Sequence, residues 1–245
     1  MPELVTATLS DGLFTLTLNR PEKLNAINIH VFHELAAHLD RITIDKVGCV
    51  LLTGAGRSFC AGHDLDDLSS GSEALEAGRI ETGIVERIAT LPMPVVAAIR
   101  GHCLTGGLEL ALSADVIIAA ESAKFADTHA KWDLAPIWGL SQRLPRRVGR
   151  AKAFEMMFAS RTYSGAEAAA MGLANFCVPD ASFDDDVQRF CREILANSWR
   201  SNRAMKKLVA ATDGMTLAAG IAWELHHTEG FGPEMAPRIA RMRKK

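Results

Sequence analysis

Apolar strands that alternate with helical segments constrain the fold of this chain more than any other feature of its sequence. The runs 47–53, 95–99 and 115–120 are apolar along almost their whole length, which is typical of strands buried on both faces. Apolar residues recur at helical spacing in the stretches between them, first from Val31 to Ile42 and again from Ile80 to Leu91. This alternation predicts an α/β fold.

The two ends of the chain differ from this central pattern. Residues 5–9 and 13–18 alternate polar and apolar side chains around Asp11-Gly12, which predicts a hairpin of half-buried strands. Asn28 is a plausible cap for the first helix. From about Ala151 onward helical patterns dominate. We therefore predict a core at 1–181 and a helical region at 182–245.

Composition indicates a protein that acts on a small molecule. The chain has 245 residues, 48% of them hydrophobic, with 27 basic and 29 acidic side chains. The absence of a basic surplus argues against nucleic acid as a partner. No apolar run approaches the roughly 18 residues of a membrane span, and the amino terminus has no signal-peptide pattern. Five irregularly spaced cysteines favour reduced thiols in a cytoplasmic protein, and no ligand set predicts a metal site.

Two glycine-containing turns, at 53–65 and 101–111, each follow a buried strand. The first holds only part of a dinucleotide-binding pattern, because Phe59 stands where the third glycine belongs. Turns of this kind expose backbone N–H groups, and two that converge form an oxyanion hole for a carbonyl. Gly106 and Gly107 would let the backbone approach a ligand closely. Plain turn residues are the alternative interpretation.

At this point the sequence resembles the crotonase, or enoyl-CoA hydratase/isomerase, superfamily along nearly its whole length. LNRPEKLNA at 18–26 is similar to the family's opening signature, and FCAGHDL at 59–65 resembles its first oxyanion loop. Residues 101–115 match the G-x-x-x-G-G-G-x-E-L-A-x-x-x-D segment, with Thr105 in place of the first of three glycines. Similar blocks follow at 139–144 and 164–173 in the usual order.

The resemblance implies a ClpP/crotonase-like spiral of ββα units with a carboxyl-terminal helical trimerisation region. It implies homotrimers or hexamers built as dimers of trimers, an acyl-CoA substrate, and no cofactor, because CoA is part of the substrate. The N–H groups of His63 and Gly106 would form the oxyanion hole. The residues implied to contact CoA are Leu24, Ala26, Ala61, Gly62, His63, Asp64, Leu65, Asp66 and Gly106.

The resemblance also implies two catalytic carboxylates, of which the sequence supplies one. The first matches Glu109, three residues beyond Gly106. A carboxylate in an apolar helix lowers stability unless it is paired, which favours a functional role for Glu109. An ion pair at a subunit interface is the alternative interpretation. The place of the second carboxylate falls on His129, whose imidazole could deprotonate water near neutral pH. Two alternatives stay open: Asp127 or Asp133 reaches the site instead, or His129 is an ordinary loop residue.

These residues predict an acyl-CoA enzyme, with hydration of 2-enoyl-CoA to 3-hydroxyacyl-CoA as the leading hypothesis. Glu109 is the predicted acid/base, and His129 stands in place of the second glutamate. An enoyl-CoA double-bond isomerase needs only one carboxylate and is the nearest alternative. A family member that binds acyl-CoA without catalysis is the third.

Overall fold

A computed structural model describes residues 3–64 and 72–243 of the chain. Its largest sheet contains β1 (Val5–Ser10), β2 (Leu13–Leu18), β3 (Cys49–Gly54), β4 (Val95–Ile99), β6 (Val116–Ala120) and β9 (Phe176–Val178). These six strands lie side by side in chain order. The first two form the predicted antiparallel hairpin, and all later neighbours pair in parallel.

A second, smaller sheet contains three short strands, β5 (His102–Leu104), β7 (Lys124–Ala126) and β8 (Tyr163–Ser164). β5 follows directly after β4, and β7 follows directly after β6. The chain therefore repeats one step, a strand in the large sheet and then a strand in the small one. Helix α3 (Gly106–Ala111) completes the first such unit, as the predicted ββα arrangement requires.

The other α-helices lie between or after the strands of the two sheets. They are α1 (Ile29–Leu39), α2 (Ser72–Ala89), α4 (Leu140–Val148), α5 (Arg150–Ala159), α6 (Gly165–Ala170), α7 (Phe183–Ala196), α8 (Trp199–Thr212), α9 (Leu217–His227) and α10 (Met235–Met242). The predicted cap of α1 is confirmed, because the Asn28 side chain accepts a hydrogen bond from the Val31 N–H at 3.1 Å. The helix ends at Leu39 and does not extend to Ile42, which packs against the core from the next loop.

The core lies on both faces of the large sheet. All five residues of β4 are buried, as their apolar run predicts. One face packs against α1 and α2, and the other receives Phe183, Val187 and Cys191 of α7. Helices α8, α9 and α10 contribute no buried residue. The region after residue 182 is helical as predicted, while a domain boundary at 181 stays a prediction.

Within residues 3–64 and 72–243, no helix is long and apolar enough to cross a membrane. The same residues contain no group of three or more His, Cys, Asp or Glu side chains arranged to hold a metal ion.

Candidate active site

The two glycine-containing turns meet because their backbones pair like parallel strands. Cys60 and Cys103 form a parallel bridge, and the Leu104 N–H donates to the Cys60 carbonyl at 3.0 Å. Three residues beyond each half of the bridge, the chain reaches His63 in one turn and Gly106 in the other. The pairing therefore carries the residues of the two predicted oxyanion donors to the same end of the site.

Glycine permits the close approach of these turns at two positions. Gly62 has a φ of +104°, and a Cβ there would lie 3.0 Å from the Leu104 carbonyl oxygen and 3.5 Å from the Gly106 nitrogen. A Cβ on Gly107 would lie 2.4 Å from the Cys60 carbonyl oxygen. Gly106 opens α3, so its N–H has no acceptor within the helix. This N–H is available to a ligand in the manner that the sequence predicts.

Thr105 has a φ of +50° at the position where the family pattern has glycine, a conformation that is costly for a branched side chain. Three contacts offset this strain. The Thr105 N–H donates to the Ala126 carbonyl at 2.9 Å, the Thr128 N–H donates to the Thr105 hydroxyl at 3.2 Å, and the two threonine hydroxyls bond each other. The start of α3 is thereby fastened to the loop that carries His129.

The Glu109 carboxylate is buried in α3 and held by the backbone of the next helix. Its Oε1 accepts hydrogen bonds from the N–H groups of Trp138, at 2.9 Å, and Leu140, at 3.1 Å. Leu140 is the first residue of α4, so the carboxylate also faces a helix amino terminus. Burial raises the pKa of Glu109, although the Leu140 N–H, His129 and the Trp138 N–H oppose the shift. The raised pKa favours a protonated carboxyl that can act as an acid.

His129 faces the other oxygen of this carboxylate, and Asp127 contacts His129. The His129 Nε2 lies 3.6 Å from Glu109 Oε2, and its Nδ1 lies 2.6 Å from Asp127 Oδ1. The His129 N–H also donates to Asp127 at 3.2 Å. All three side chains are buried, whereas Asp133 is exposed. Of the two aspartates considered from sequence, Asp127 is therefore the one in contact with the candidate site.

The opening loop lies against the first oxyanion turn. The Ala61 N–H donates to the Leu24 carbonyl at 3.0 Å, and Arg20 bonds both the Ala26 carbonyl, at 2.6 Å, and the Asp64 carboxylate, at 2.9 Å. These contacts bring together six of the residues predicted to contact CoA, namely Leu24, Ala26, Ala61, Gly62, His63 and Asp64. Leu65 and Asp66 lie outside the described residues. Binding of CoA at this surface stays a prediction.

Sequence comparison matches residues 8–235 to the model of the enoyl-CoA hydratase/isomerase family. The chain belongs to this family. It is 34% identical over 224 residues to a 1,2-epoxyphenylacetyl-CoA isomerase of Escherichia coli, which covers 89% of this chain and 86% of that protein. It is 37% identical over 218 residues to a probable enoyl-CoA hydratase of Rhodobacter capsulatus, with 88% and 84% covered.

Solved structures of enoyl-CoA hydratases confirm the crotonase-type α/β fold. The enoyl-CoA hydratase of Bacillus anthracis superposes with a TM-score of 0.94 at 29% identity, over 99% of this chain and 96% of that one. A putative enoyl-CoA hydratase of Thermobifida fusca, solved in complex with acetoacetyl-CoA, gives a TM-score of 0.84 at 26% identity, over 99% and 95%. This chain is thus an enzyme of the hydratase/isomerase type.

Sequence analysis missed one buried carboxylate of this hydratase/isomerase fold, that of Glu81 in α2. The sequence pattern predicts that Ile80 lies on the buried face of this helix. In the structure Ile80 is exposed, and Glu81 is only 3% exposed. Glu81 shares the buried face with Ile84, Val85 and Ile88, at the spacing i, i+3, i+4 and i+7. This spacing alone could have predicted that Glu81 is buried. A charged residue is seldom assigned to a buried face, because such residues are mostly exposed.

Proposed function

We propose that this enzyme hydrates 2-enoyl-CoA to 3-hydroxyacyl-CoA, with Glu109 as acid and His129 as base. The observation that carries the proposal is the buried row of Asp127, His129 and Glu109, in which Nε2 and Oε2 lie 3.6 Å apart. That separation is too long for a good direct hydrogen bond, and it suits a water molecule that contacts both atoms. Relatives named as enoyl-CoA hydratases support the same reaction class.

The proposed base is the Nε2 atom of neutral His129. The Asp127 carboxylate accepts a hydrogen bond from the Nδ1–H group, which fixes the tautomer and leaves a lone pair on Nε2. Nε2 removes a proton from water as the water oxygen bonds to C3 of the substrate. The electron pair of the double bond moves toward C2 and the thioester oxygen, where the N–H groups of His63 and Gly106 would stabilise the enolate.

The proposed acid is Glu109. The raised pKa of this buried carboxyl favours its protonated form, which gives a proton to C2 and completes the addition of water. The proton on His129 Nε2 then passes to Glu109 Oε2, and both groups return to their starting states. The two roles differ because burial raises the pKa of Glu109, whereas the contact of His129 Nδ1 with Asp127 presents Nε2 as a proton acceptor.

Double-bond isomerisation is the second candidate. It needs one group that removes a proton from one carbon and returns it to another, and Glu109 alone supplies such a group. The Escherichia coli relative is also named as an isomerase of a CoA thioester, although the reacting group in its name is an epoxide and not a double bond. Under this alternative His129 would be dispensable for turnover.

The test incubates the purified enzyme with crotonyl-CoA, with a longer 2-enoyl-CoA and with a 3-enoyl-CoA, and follows the enoyl thioester absorbance. We expect loss of absorbance with 2-enoyl-CoA, and a fall of about 10²- to 10⁴-fold in kcat for Glu109→Gln and for His129→Ala. Turnover of 3-enoyl-CoA that survives His129→Ala would establish the isomerase. Binding of CoA esters without turnover would establish a non-catalytic member.

Further expectations about this enzyme stay proposals; its assembly and cofactor follow from the family resemblance, and its location follows from the irregularly spaced cysteines. We expect a homotrimer or hexamer, no cofactor apart from the CoA of the substrate, and a cytoplasmic location. Size measurement in solution, activity after exhaustive dialysis against a chelator, and cell fractionation test them in turn.

A further inference from the structure

The buried carboxylate of Glu81 has no part in the reaction proposed above. Its Oε1 lies 3.3 Å from His63 Nε2, and its Oε2 accepts a hydrogen bond from the Trp138 indole N–H at 3.1 Å. Burying a carboxylate in a helix that otherwise packs through apolar side chains is costly. Both oxygens nevertheless have polar partners, and both partners belong to the candidate active site.

Trp138 connects Glu81 to the rest of the site in two further ways. Its main-chain N–H is the donor that holds Glu109 Oε1 at 2.9 Å. Its ring lies directly over Gly106, since a Cβ on that glycine would be 2.4 Å from Trp138 Cζ3. The His63 and Trp138 rings also lie near each other, with centroids 5.8 Å apart. Glu81 thus contacts the side chains of two residues whose main chains lie at the oxyanion turn and at Glu109.

We propose that Glu81 is a positioning residue, which sets the distance between the oxyanion donors and the Glu109 carboxyl through His63 and Trp138. The proposal rests on the function proposed above, because it assigns a role to those donors and to that acid. The proposal also assigns a role to the His63 side chain. The main-chain N–H of His63 would bind the thioester oxygen, while its imidazole links the first oxyanion turn to α2.

The two contacts of Glu81 matter because the reacting groups must be held at precise positions. A carboxylate can accept one hydrogen bond on each oxygen, and a glutamine at position 81 keeps one acceptor and adds a donor. An alanine keeps neither contact, so the indole N–H of Trp138 and the Nε2 atom of His63 both lose their hydrogen bond to position 81. Misplacement of a reacting group by about 1 Å can lower a rate by about 10²-fold, so Glu81→Ala should affect kcat far more than Glu81→Gln does.

The experiment compares Glu81→Ala, Glu81→Gln and a matched control, Glu76→Ala, on the same helix. Glu76 is exposed and pairs with the exposed side chain of Arg79. Steady-state rates are measured with crotonyl-CoA. Enolisation of bound acetoacetyl-CoA is measured by absorbance. The keto form of this ligand has no carbon–carbon double bond to hydrate, and its enolate depends on the oxyanion donors.

We expect Glu81→Ala to lower kcat by about 10²-fold, to leave KM nearly unchanged and to abolish most of the enolate absorbance. Glu81→Gln should retain most of both signals, and Glu76→Ala should retain all. Wild-type values for Glu81→Ala would overturn the proposal. So would a Glu81→Gln variant that loses turnover and keeps the enolate, because that result would make Glu81 a catalytic acid or base.

A second variant guards against a folding failure of Glu81→Ala. His63→Ala deletes the contact from the opposite side and retains the main-chain donor, so it too should weaken the enolate absorbance. Combining the two substitutions should cost little more than either alone, and full additivity would argue against the proposal. If the wild type hydrates no enoyl-CoA, the proposed function fails, while the enolate measurement still tests Glu81.

Discussion

At Glu109, burial makes the stability of the protein depend on pH. The pKa of this carboxyl is raised above its ordinary value of 4.5, so the unfolded chain releases this proton at lower pH than the folded chain. The contribution of the group to stability is complete below 4.5 and is lost as pH rises through the folded pKa. Replacement by glutamine removes this loss and keeps an acceptor for the two backbone donors.

We therefore predict that the free energy of unfolding of Glu109→Gln rises relative to that of the wild type as pH increases above 4.5. Urea unfolding across a pH series measures the difference, and the exposed Glu86→Gln provides the control. A gap between Glu109→Gln and wild type that stays constant with pH would contradict the assignment of the shift to burial.

Asp127 carries a second prediction at the scale of single residues. In Asp127→Asn the side-chain amide can donate to His129 Nδ1, which would place the ring proton on Nε2 and remove the proposed base. We expect kcat to fall by about 10²-fold or more, together with an altered ¹⁵N spectrum of the His129 ring. Asp133→Asn, an exposed site in the same loop, should change neither measurement. Equal losses in both variants would contradict the tautomer argument.

Among the elements, those with a long periodic pattern could be predicted from sequence, and three of the shortest strands could not. The hairpin, β3, β4, β6 and α1 carry periodicity over five residues or more. Strands β5, β7 and β8 have only two or three residues and form by pairing with distant segments, which leaves no local pattern to detect. Glu109 and His129 followed from motif position, whereas the contacts of Asp127 and Glu81 depend on how loops and α2 pack.

The space around a glycine decides whether replacing it with alanine destabilises or stabilises the protein. In Gly107→Ala the new Cβ meets the Cys60 carbonyl at 2.4 Å, where only backbone movement can relieve the clash. We expect destabilisation by about 1–3 kcal/mol and a lower kcat. Gly83→Ala in α2 meets nothing within 4 Å and should stabilise the protein by up to about 1 kcal/mol. Urea unfolding of both variants checks the contrast in sign.

At the scale of the whole molecule, large apolar side chains are exposed along the carboxyl-terminal helices, and exposed apolar patches mark interaction surfaces. Val209 is 73% exposed, Leu217 81% and Leu225 73%, and a formal net charge of −2 provides little repulsion between copies. This surface supports the expected trimer or hexamer. A chain that associates through α8 and α9 would bury these side chains against its copies.

The corresponding prediction is that Leu217→Glu combined with Leu225→Glu lowers the oligomeric mass measured by light scattering. The mass should fall toward that of one chain, because each charge would lose its hydration in the interface. Leu9→Glu, at an exposed position in β1, is the control and should retain the wild-type mass. An unchanged mass in the double variant would exclude this surface as the contact.

The predicted oxyanion donors are main-chain groups, and this gives the site an uneven response to mutation. Almost every substitution at position 63 leaves a backbone N–H in place, and only proline removes it. The groups that would move protons, on Glu109 and His129, are side chains that a single base change can delete. Random mutation at the positions of the donors and of the proton-transfer groups would therefore delete a proton-transfer group more often than an oxyanion donor. A lineage built on this scaffold can lose one reaction and retain its hold on the same class of ligand, from which another reaction can arise.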